Sequence, residues 1–368
     1  MKLFKCQCCG QVLHFENSTC LRCGRAVGYQ PETDRMVAVE PDGPLWRRAV
    51  GDSAPNEAEA AQRWRFCINW EMSACNWMVE CGVDGSASYC AACQHNRTIP
   101  DLSLEGNLER WLKIEAAKRR LIYSLIQLEL PLPVPGDAVS APLIFDFKDD
   151  VPGTAERVLT GHANGVVTIA LIEADDAARE QMRADMGEAY RTLLGHFRHE
   201  VGHYYWDLLI RDGGYLQQFR AMFGDEREDY TLALQRHYEA GPAPDWSKTY
   251  VSAYATMHAW EDWAETWAHY MHMVDTLETA AAFGMTLQPE VDETGQLSAE
   301  LDFDPAQAKR ARQLMSNWMP LTVALNALNR SMGQRDLYPF TLPNAVREKL
   351  AFVHDLIHGR LRPDGTAQ

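Results

Sequence analysis

Cysteine is absent from the chain beyond Cys93, although the 368 residues contain ten cysteines. Long apolar runs are also absent, since no stretch approaches the roughly 20 residues that a membrane-spanning helix needs. The segment from Met1 to Cys6 opens no apolar stretch of signal-peptide length. These absences argue against a membrane protein and against an exported protein held together by disulfides. We therefore expect a cytoplasmic protein without a membrane segment.

Positive charge is scarce in the larger part of the chain. The formal net charge is −16, and residues 1–130 hold 15 Lys and Arg against 16 Asp and Glu. The remaining residues hold 20 basic against 35 acidic side chains. Because an acidic body repels phosphate backbones, nucleic acid is a disfavoured partner. A nucleic-acid binder built on the neutral first part stays open as an alternative, and salt-sensitive binding by residues 1–100 would favour it.

The cysteines form two groups with the spacing of zinc ligands. Cys6, Cys9, Cys20 and Cys23 form two C-x-x-C pairs, each followed by a glycine that permits a tight turn. Cys67, Cys75, Cys90 and Cys93 form the second group. We predict a structural zinc in each group, because four thiolates leave no position for water. Cys8 is left over, and Cys81 is a rival for a place in the second site.

The sequence His199-Glu200-Val201-Gly202-His203 suits a catalytic metal site. Residues four apart share one face of a helix, so both histidines can present a ring nitrogen to one zinc. Zinc lowers the pKa of a bound water to about 7, and Glu200 can take the proton of that water as general base. His196 shares the face and could substitute as a ligand. The alternative is a helix whose histidines and glutamates pair with each other or face water.

A second helix carries Glu261, Glu265 and His269 at successive four-residue steps. Glu261 can be the third zinc ligand, with Glu265 and His269 as its alternatives, and Glu265 can accept the outer N–H of a ligand histidine and fix its tautomer. Carboxylates and a histidine among Trp and Ala would be costly in a core without a counter-charge, which zinc with its histidines supplies. An oxyanion stabiliser is also required. Its candidates are Tyr204, Tyr205, His269 and Tyr338.

These two segments resemble the gluzincin pattern, in which a second helix gives a Glu ligand followed four residues later by an acidic residue. The whole chain resembles the bacterial zinc-binding metallopeptidases that carry an N-terminal zinc ribbon. Besides the histidine segment, the resembling stretches include Leu13-His14-Phe15-Glu16-Asn17, Arg97-Thr98-Ile99-Pro100-Asp101-Leu102, Glu173-Ala174-Asp175-Asp176, Trp267-Ala268-His269-Tyr270 and Asn329-Arg330-Ser331-Met332-Gly333. The resemblance implies a peptidase-like fold and three zinc sites, and it implies no particular substrate. The 57 residues between His203 and Glu261 exceed the shortest gluzincin spacings, and a helical insertion around Tyr215–Tyr238 would account for them.

We expect an α+β protein, with a β-rich, zinc-ribbon-like head before a mainly helical, zincin-like domain that has a small antiparallel or mixed sheet. The predicted parts are a cysteine-rich head at 1–100 (ribbon 1–30, second cluster 67–93), a connecting helix and Pro-rich linker at 101–135, and a metallopeptidase domain at 136–368. Apolar periodicity predicts a helix over 107–130, one long helix from about Ala174 to Ile210, a helix over Val251–Phe283 and mainly helix over 304–358. Strands are predicted at 143–147 and 166–171, the latter as an edge strand that could pair with extended substrate.

The function predicted from the sequence is hydrolysis of peptide bonds, with one catalytic and two structural zinc ions. The partners would be a peptide or protein substrate and, through the zinc-ribbon head, a possible second protein. The alternative is an adaptor protein stabilised by zinc, whose third zinc does no chemistry.

Overall fold

A computed structural model of the chain describes residues 1–51, 60–80, 88–137, 141–150, 157–185 and 190–365. It is 44% helical and 15% strand, and a β-rich first part precedes a mainly helical second part, which confirms the α+β class. The chain forms two compact units, one of Met1–Leu159 with Thr168–Asp175 and one of Thr160–Val167 with Asp176–Gln368. None of the helices in the described ranges is long and apolar enough to cross a membrane.

The first unit begins with short strands on either side of a cysteine turn. The strands of this region are β1 (Phe4–Lys5), β2 (Val12–Leu13), β3 (Ala26–Gln30), β4 (Arg35–Asp42), β5 (Leu45–Arg48), β6 (Trp64–Phe66) and β7 (Met78–Glu80). Strands β1 and β2 pair with each other, and β3 to β7 form an antiparallel five-stranded sheet in chain order. A bridge between Tyr29 and Trp77 links β3 to the start of β7, so the sheet curls towards closure.

An aromatic cluster fills the centre of the first unit. Phe15, Tyr29 and Trp77 lie with ring centroids 4.9 to 6.0 Å apart, and Tyr123 joins Phe15 at 5.1 Å. Tyr123 belongs to helix α1 (Asn107–Gln127), which matches the helix predicted over 107–130. Burial of these large rings stabilises the packing of α1 against the strands, because each ring removes some 150–250 Å² of surface from water.

A four-stranded sheet has the order β10-β11-β9-β8. Its strands are β8 (Asn96–Thr98), β9 (Ile144–Lys148), β10 (Gly161–Ala163) and β11 (Val166–Ala170). The predicted edge position of residues 166–171 is wrong, because the turn at Asn164-Gly165 folds β10 back onto β11. The edge strand on this side of the sheet is therefore β10, and β10 contacts the helix that carries the histidine motif.

The second unit is built from helices. They are α2 (Asp176–Asp185), α3 (Leu193–Tyr205), α4 (Leu216–Phe223), α5 (Tyr230–Ala240), α6 (Ala259–Ala282), α7 (Ala311–Ser331) and α8 (Asn344–Ile357), with a short strand pair β12 (Thr286–Leu287) and β13 (Ala299–Glu300). Helix α6 is central and contacts α3, α4, α7 and α8. The predicted helical insertion before Glu261 is confirmed by α4 and α5, and a break near Gly333 and Pro339 separates α7 from α8.

Two predicted helices differ from the structure, one in its continuity and one in its start, and in both cases a capping side chain explains the difference. The single helix expected from Ala174 to Ile210 does not form, because Thr192 has an extended backbone and its hydroxyl accepts a hydrogen bond from the Gly195 N–H. The helix expected from Val251 begins at Ala259, where the ring of His258 accepts a hydrogen bond from the Trp260 N–H. Both caps place the start of a helix shortly before a proposed metal ligand.

A buried histidine in α8 gives this unit a pH-dependent stability. His354 is completely buried, and Arg360 donates to its Nε2, so the proton lies on Nδ1 beside the Tyr270 hydroxyl. Burial, helped by the positive charges of His358 and Arg360, lowers the pKa of His354 to about 3. As the pH falls from about 6.5, His354 binds a proton in the unfolded chain but not in the folded chain. The free energy of unfolding therefore decreases until the pH reaches about 3.

The expected slope from His354 is up to about 1.4 kcal/mol per pH unit in the free energy of unfolding. Urea unfolding at pH 7.5 and 5.5 measures it. His354→Gln should reduce the pH dependence, whereas replacement of the exposed His14 by Gln should leave it unchanged. Equal pH dependence in wild type and His354→Gln would contradict this account.

Candidate metal centre

Helix α3 presents the histidine motif to α6 at very short range. A Cβ atom on Gly202 would lie 3.1 Å from the Ala264 Cα and 3.2 Å from Trp267 side-chain atoms. The absence of a side chain at this position lets the two helices approach. The Trp263 indole N–H donates a 2.8 Å hydrogen bond to the Gly202 carbonyl, which fixes the approach. The motif glycine therefore sets the distance between the two helices that carry the cluster.

His199, His203 and Glu261 converge across this contact. His199 Nε2 lies 2.9 Å from Glu261 Oε2, and His203 Nε2 lies 3.5 Å from Glu261 Oε1. One donor atom from each residue lies within 4.8 Å of the other two. Their side chains are 13%, 5% and 2% exposed. Two imidazoles and a carboxylate at this separation are a ligand set that zinc takes, with a fourth position left for water.

The electrostatics of the cluster match a cation at its centre. Burial disfavours a charged His199, but the carboxylates of Glu261 and Glu265 raise its pKa well above the usual value. Burial likewise opposes charge on Glu261, yet His203 and His199 lower the pKa of its carboxyl well below the usual value. Because a buried carboxylate needs positive charge or hydrogen bonds around it, this arrangement suits a metal ion.

Glu265 lies directly behind the first histidine. The Nδ1 of His199 lies 2.8 Å from Glu265 Oε1, and the Ser252 hydroxyl donates a 2.6 Å hydrogen bond to Oε2. Burial would raise the pKa of Glu265, but the hydrogen bond and charge of His199 lower it to about 2. When the ring is neutral, an ionised Glu265 that accepts the Nδ1 proton leaves the Nε2 of His199 unprotonated and able to bind a metal ion.

Glu200 faces the same space together with two tyrosines. Glu200 is 9% exposed. The Tyr230 hydroxyl donates a 2.9 Å hydrogen bond to Glu261 Oε1 and is hydrogen-bonded to Tyr254. Burial, and then the negative charges of Glu261 and Glu200, raise the pKa of both tyrosines, which shows that both carboxylates lie near the two hydroxyls.

Other predicted residues lie in packed surroundings. Tyr205 is completely buried, and its ring stacks on Trp267 at 5.0 Å. The Nδ1 of His269 lies 2.6 Å from the Tyr338 hydroxyl, and burial lowers the pKa of His269 to about 4. Tyr204 is buried beside Tyr205. A catalytic role for Tyr205 or His269 stays a prediction.

The sequence interpretation missed three side chains of the centre: Ser252, Tyr230 and Tyr254. Each precedes α6 in the chain and reaches the cluster only through the fold. Of the three, only Tyr230 could have been suspected from the sequence, because it lies in the insertion that the spacing between His203 and Glu261 indicates.

Both cysteine groups come together as two separate clusters. In the first, the Sγ atoms of Cys9 and Cys20 lie 3.5 Å apart and those of Cys6 and Cys23 lie 3.9 Å apart. The second contains Cys67, Cys75, Cys90 and Cys93, all buried. Cys8 lies outside both sets, and its thiol donates to the Ala49 carbonyl at 3.7 Å. Cys81 falls outside the described residues.

The sulfurs of the second cysteine cluster lie within 4.8 Å of one another, and those of Cys75 and Cys90 are 3.6 Å apart. Hydrogen bonds from the thiols of Cys75, Cys90 and Cys93 lower the pKa of Cys67 far below its usual value, whereas burial raises the pKa of Cys75 and Cys90. Four cysteine sulfurs at this separation are a ligand set that a zinc ion takes. Buried Lys118 lies close enough to act on Cys93 electrostatically, and it pairs with Glu115, which accepts from the Cys93 thiol at 3.7 Å.

Comparisons with known proteins agree with both metal regions. Residues 107–356 match the family model described as "Putative zinc-binding metallo-peptidase", and residues 3–104 match a zinc-ribbon domain. Uncharacterised proteins of Mycobacterium bovis and of two Mycobacterium tuberculosis strains are each 41% identical over 360 residues, which is 97% of this chain and 95% of theirs. No solved structure matches the chain. With zinc-ligand clusters in both matched regions, the chain belongs to this family of zinc-binding metallopeptidases that carry an N-terminal zinc ribbon.

Proposed function

We propose that this protein hydrolyses peptide bonds at a zinc ion held by His199, His203 and Glu261, in the gluzincin manner. The observation that carries the proposal is the convergence of three candidate ligand side chains, two imidazoles and one carboxylate. A second carboxylate, that of Glu200, lies beside them and is not part of the ligand set. A zinc ion in this set supplies Lewis-acid chemistry, because it acidifies water and polarises a peptide carbonyl. Three protein ligands leave room for that chemistry, whereas four would close the site.

The chain's own residues would divide the work. Glu200 takes a proton from the attacking water and later delivers it to the leaving amine, so that one carboxylate serves as base and then acid. Glu265 holds the Nδ1 proton of His199, and Ser252 holds Glu265. Tyr254, hydrogen-bonded to Tyr230 and influenced by the charge of Glu200, joins Tyr205 and His269 as a candidate donor to the developing oxyanion.

The cysteine clusters would hold two structural zinc ions, so the full protein would carry three. The substrate would be a peptide or protein in the cytoplasm, and nucleic acid would not be a partner. The head could dock a second protein. An adaptor protein with a non-catalytic third zinc is the alternative, and it would share the same metal content.

Metal content together with hydrolysis tests the proposal. Purified protein should contain about three zinc ions per chain and should cleave an unstructured peptide mixture. A chelator that removes the zinc held by His199, His203 and Glu261 should abolish cleavage, and added zinc should restore it. Three bound zinc ions without cleavage of any peptide would favour the adaptor.

A further inference from the structure

Helix α5 is the most exposed helix near the metal centre. Among residues 230–240 only Ala233 is buried, and Leu234 and His237 are half-buried. Gly224 and Gly241 flank this segment, with φ angles of +104° and +67°. Glycine adopts such angles at no steric cost, so both ends of the segment can change direction. A helix with few buried side chains between two such positions has little to hold it in place.

The segment is attached to the metal centre by a few identifiable contacts. The Tyr230 hydroxyl donates to Glu261 Oε1 at 2.9 Å. The ring of His237 lies 5.9 Å from that of Tyr254, which in turn lies 6.0 Å from His199. His258 accepts from the Trp260 N–H through Nδ1, so its Nε2 carries the proton and donates to the Glu228 carbonyl at 3.1 Å. Helix α5 thus lies against the residues that border the ligand set.

The ligand set is nearly closed off in this arrangement. The side chains of His203 and Glu261 are 5% and 2% exposed, and Glu200 is 9% exposed. A polypeptide must nevertheless bring its carbonyl to the metal and the leaving amine to Glu200. Substrate binding therefore requires some neighbouring element to move. The core helices α3 and α6 are unsuited to moving, because they carry the ligands and are fixed to each other at Gly202.

We propose that residues 224–241 form a lid over the metal centre, latched by the hydrogen bond from Tyr230 to Glu261. The proposal rests on the proposed function, since it describes regulation of that site. In the latched form the lid shields the metal and ties up one oxygen of its carboxylate ligand. An extended polypeptide releases the latch when it enters beneath α5 and displaces the Tyr230 hydroxyl. Access by this route selects unfolded or extended chains over compact folded proteins.

Hydrogen exchange of the zinc-loaded, full-length protein tests the latch. Tyr230→Phe removes the hydroxyl and keeps the ring, so amides of α5 should exchange about tenfold faster, as expected for loss of a hydrogen bond to a charged group. Tyr238→Phe is the matched control, because Tyr238 lies on the same helix, is 64% exposed and contacts His237 with its ring. Amides of α3 and α6 should exchange at wild-type rates in both variants.

The outcomes separate the lid from the chemistry. Equal exchange of α5 in the two variants, or exchange of α5 as slow as that of α3 in the wild type, would overturn the lid. Acceleration of α3 and α6 together with α5 would also overturn it, since that pattern reports general destabilisation. Faster exchange confined to α5 supports the lid even if no peptide is cleaved. Failure of hydrolysis alone therefore counts against the proposed function and leaves the latch standing.

Discussion

Replacement of Glu200 by Gln is expected to abolish peptide hydrolysis while zinc stays bound. The amide keeps the size of the side chain but cannot accept a proton from water, so the general base is lost. Loss of a general base typically lowers kcat by a factor of about 10² to 10⁴. Because Glu200 is not one of the converging ligands, the zinc content should remain at the wild-type value. Steady-state cleavage of a peptide together with elemental analysis of the same sample measures both quantities.

Glu261→Gln is the matched control for this variant. Both glutamates are buried beside the same histidines, but only Glu261 belongs to the ligand set. Its amide is a poor zinc ligand, so this variant should lose one zinc per chain as well as activity. Hydrolysis by Glu200→Gln at the wild-type rate would refute the role of Glu200 as general base. Loss of zinc from Glu200→Gln would instead mean that Glu200 holds the metal.

The same variant separates the enzyme from the adaptor. An adaptor whose third zinc does no chemistry would bind its partner equally well with Gln at position 200, because the metal set and its surroundings persist. An enzyme would bind substrate in the Glu200 variant without releasing products. A partner that binds stoichiometrically and stays intact with the wild-type protein would therefore favour the adaptor.

The convergence of the candidate metal ligands could be predicted from the sequence because the geometry within each pair is local. His199 and His203 are one helical turn apart, as are Glu261 and Glu265, so spacing alone places each pair on one face. With two histidines as ligands, the site needs one more protein ligand. Few side chains qualify, because a buried carboxylate among tryptophans is rare. The structure brings these four side chains together, with Glu265 behind His199.

His269 and Tyr205 show where helical spacing ceases to be informative. Each four-residue step advances about 40° beyond a full turn, so two steps carry His269 about 80° away from Glu261. It faces Tyr338 accordingly. Tyr205 follows His203 by two residues, about 200° around the helix, and stacks on Trp267. Spacing along the chain therefore does not fix the direction of either side chain, and a catalytic role for both stays a prediction.

The remaining parts of the site depend on contacts that no local pattern encodes. Ser252 and Tyr230 reach Glu265 and Glu261 only because the chain between α3 and α6 folds back against α6. The helix starts at Leu193 and Ala259 depend on single capping interactions that compete with an otherwise continuous apolar pattern. Such side-chain alternatives differ by about 1 kcal/mol, which apolar periodicity cannot resolve.

Replacement of Cys90 by Ser is expected to unfold the cysteine-rich head. All four cysteines of the second cluster are at most 2% exposed, and Lys118 is buried beside them with Glu115. Structural zinc contributes about 10–16 kcal/mol in small zinc domains, which equals or exceeds the whole stability of a typical domain. Without zinc, the buried thiols and the Lys118–Glu115 pair would keep their desolvation cost and lose the cation that offsets the thiolate charge. The zinc content should fall by about one per chain, and residues 1–104 should become sensitive to protease.

Cys8→Ser is the matched control, because Cys8 lies outside both clusters and its thiol makes a long contact with the Ala49 carbonyl. It should keep the full zinc content and wild-type protease resistance. A Cys90 variant that retains both would show that the second cluster is a set of reduced, buried thiols rather than a metal site. The first cluster provides the internal comparison, since Cys23 is more exposed than any cysteine of the second and a variant there should release zinc with less damage to the core. The expected order of protease sensitivity is Cys90 before Cys23 before Cys8, because Cys90 is buried, Cys23 is partly exposed and Cys8 lies outside both clusters.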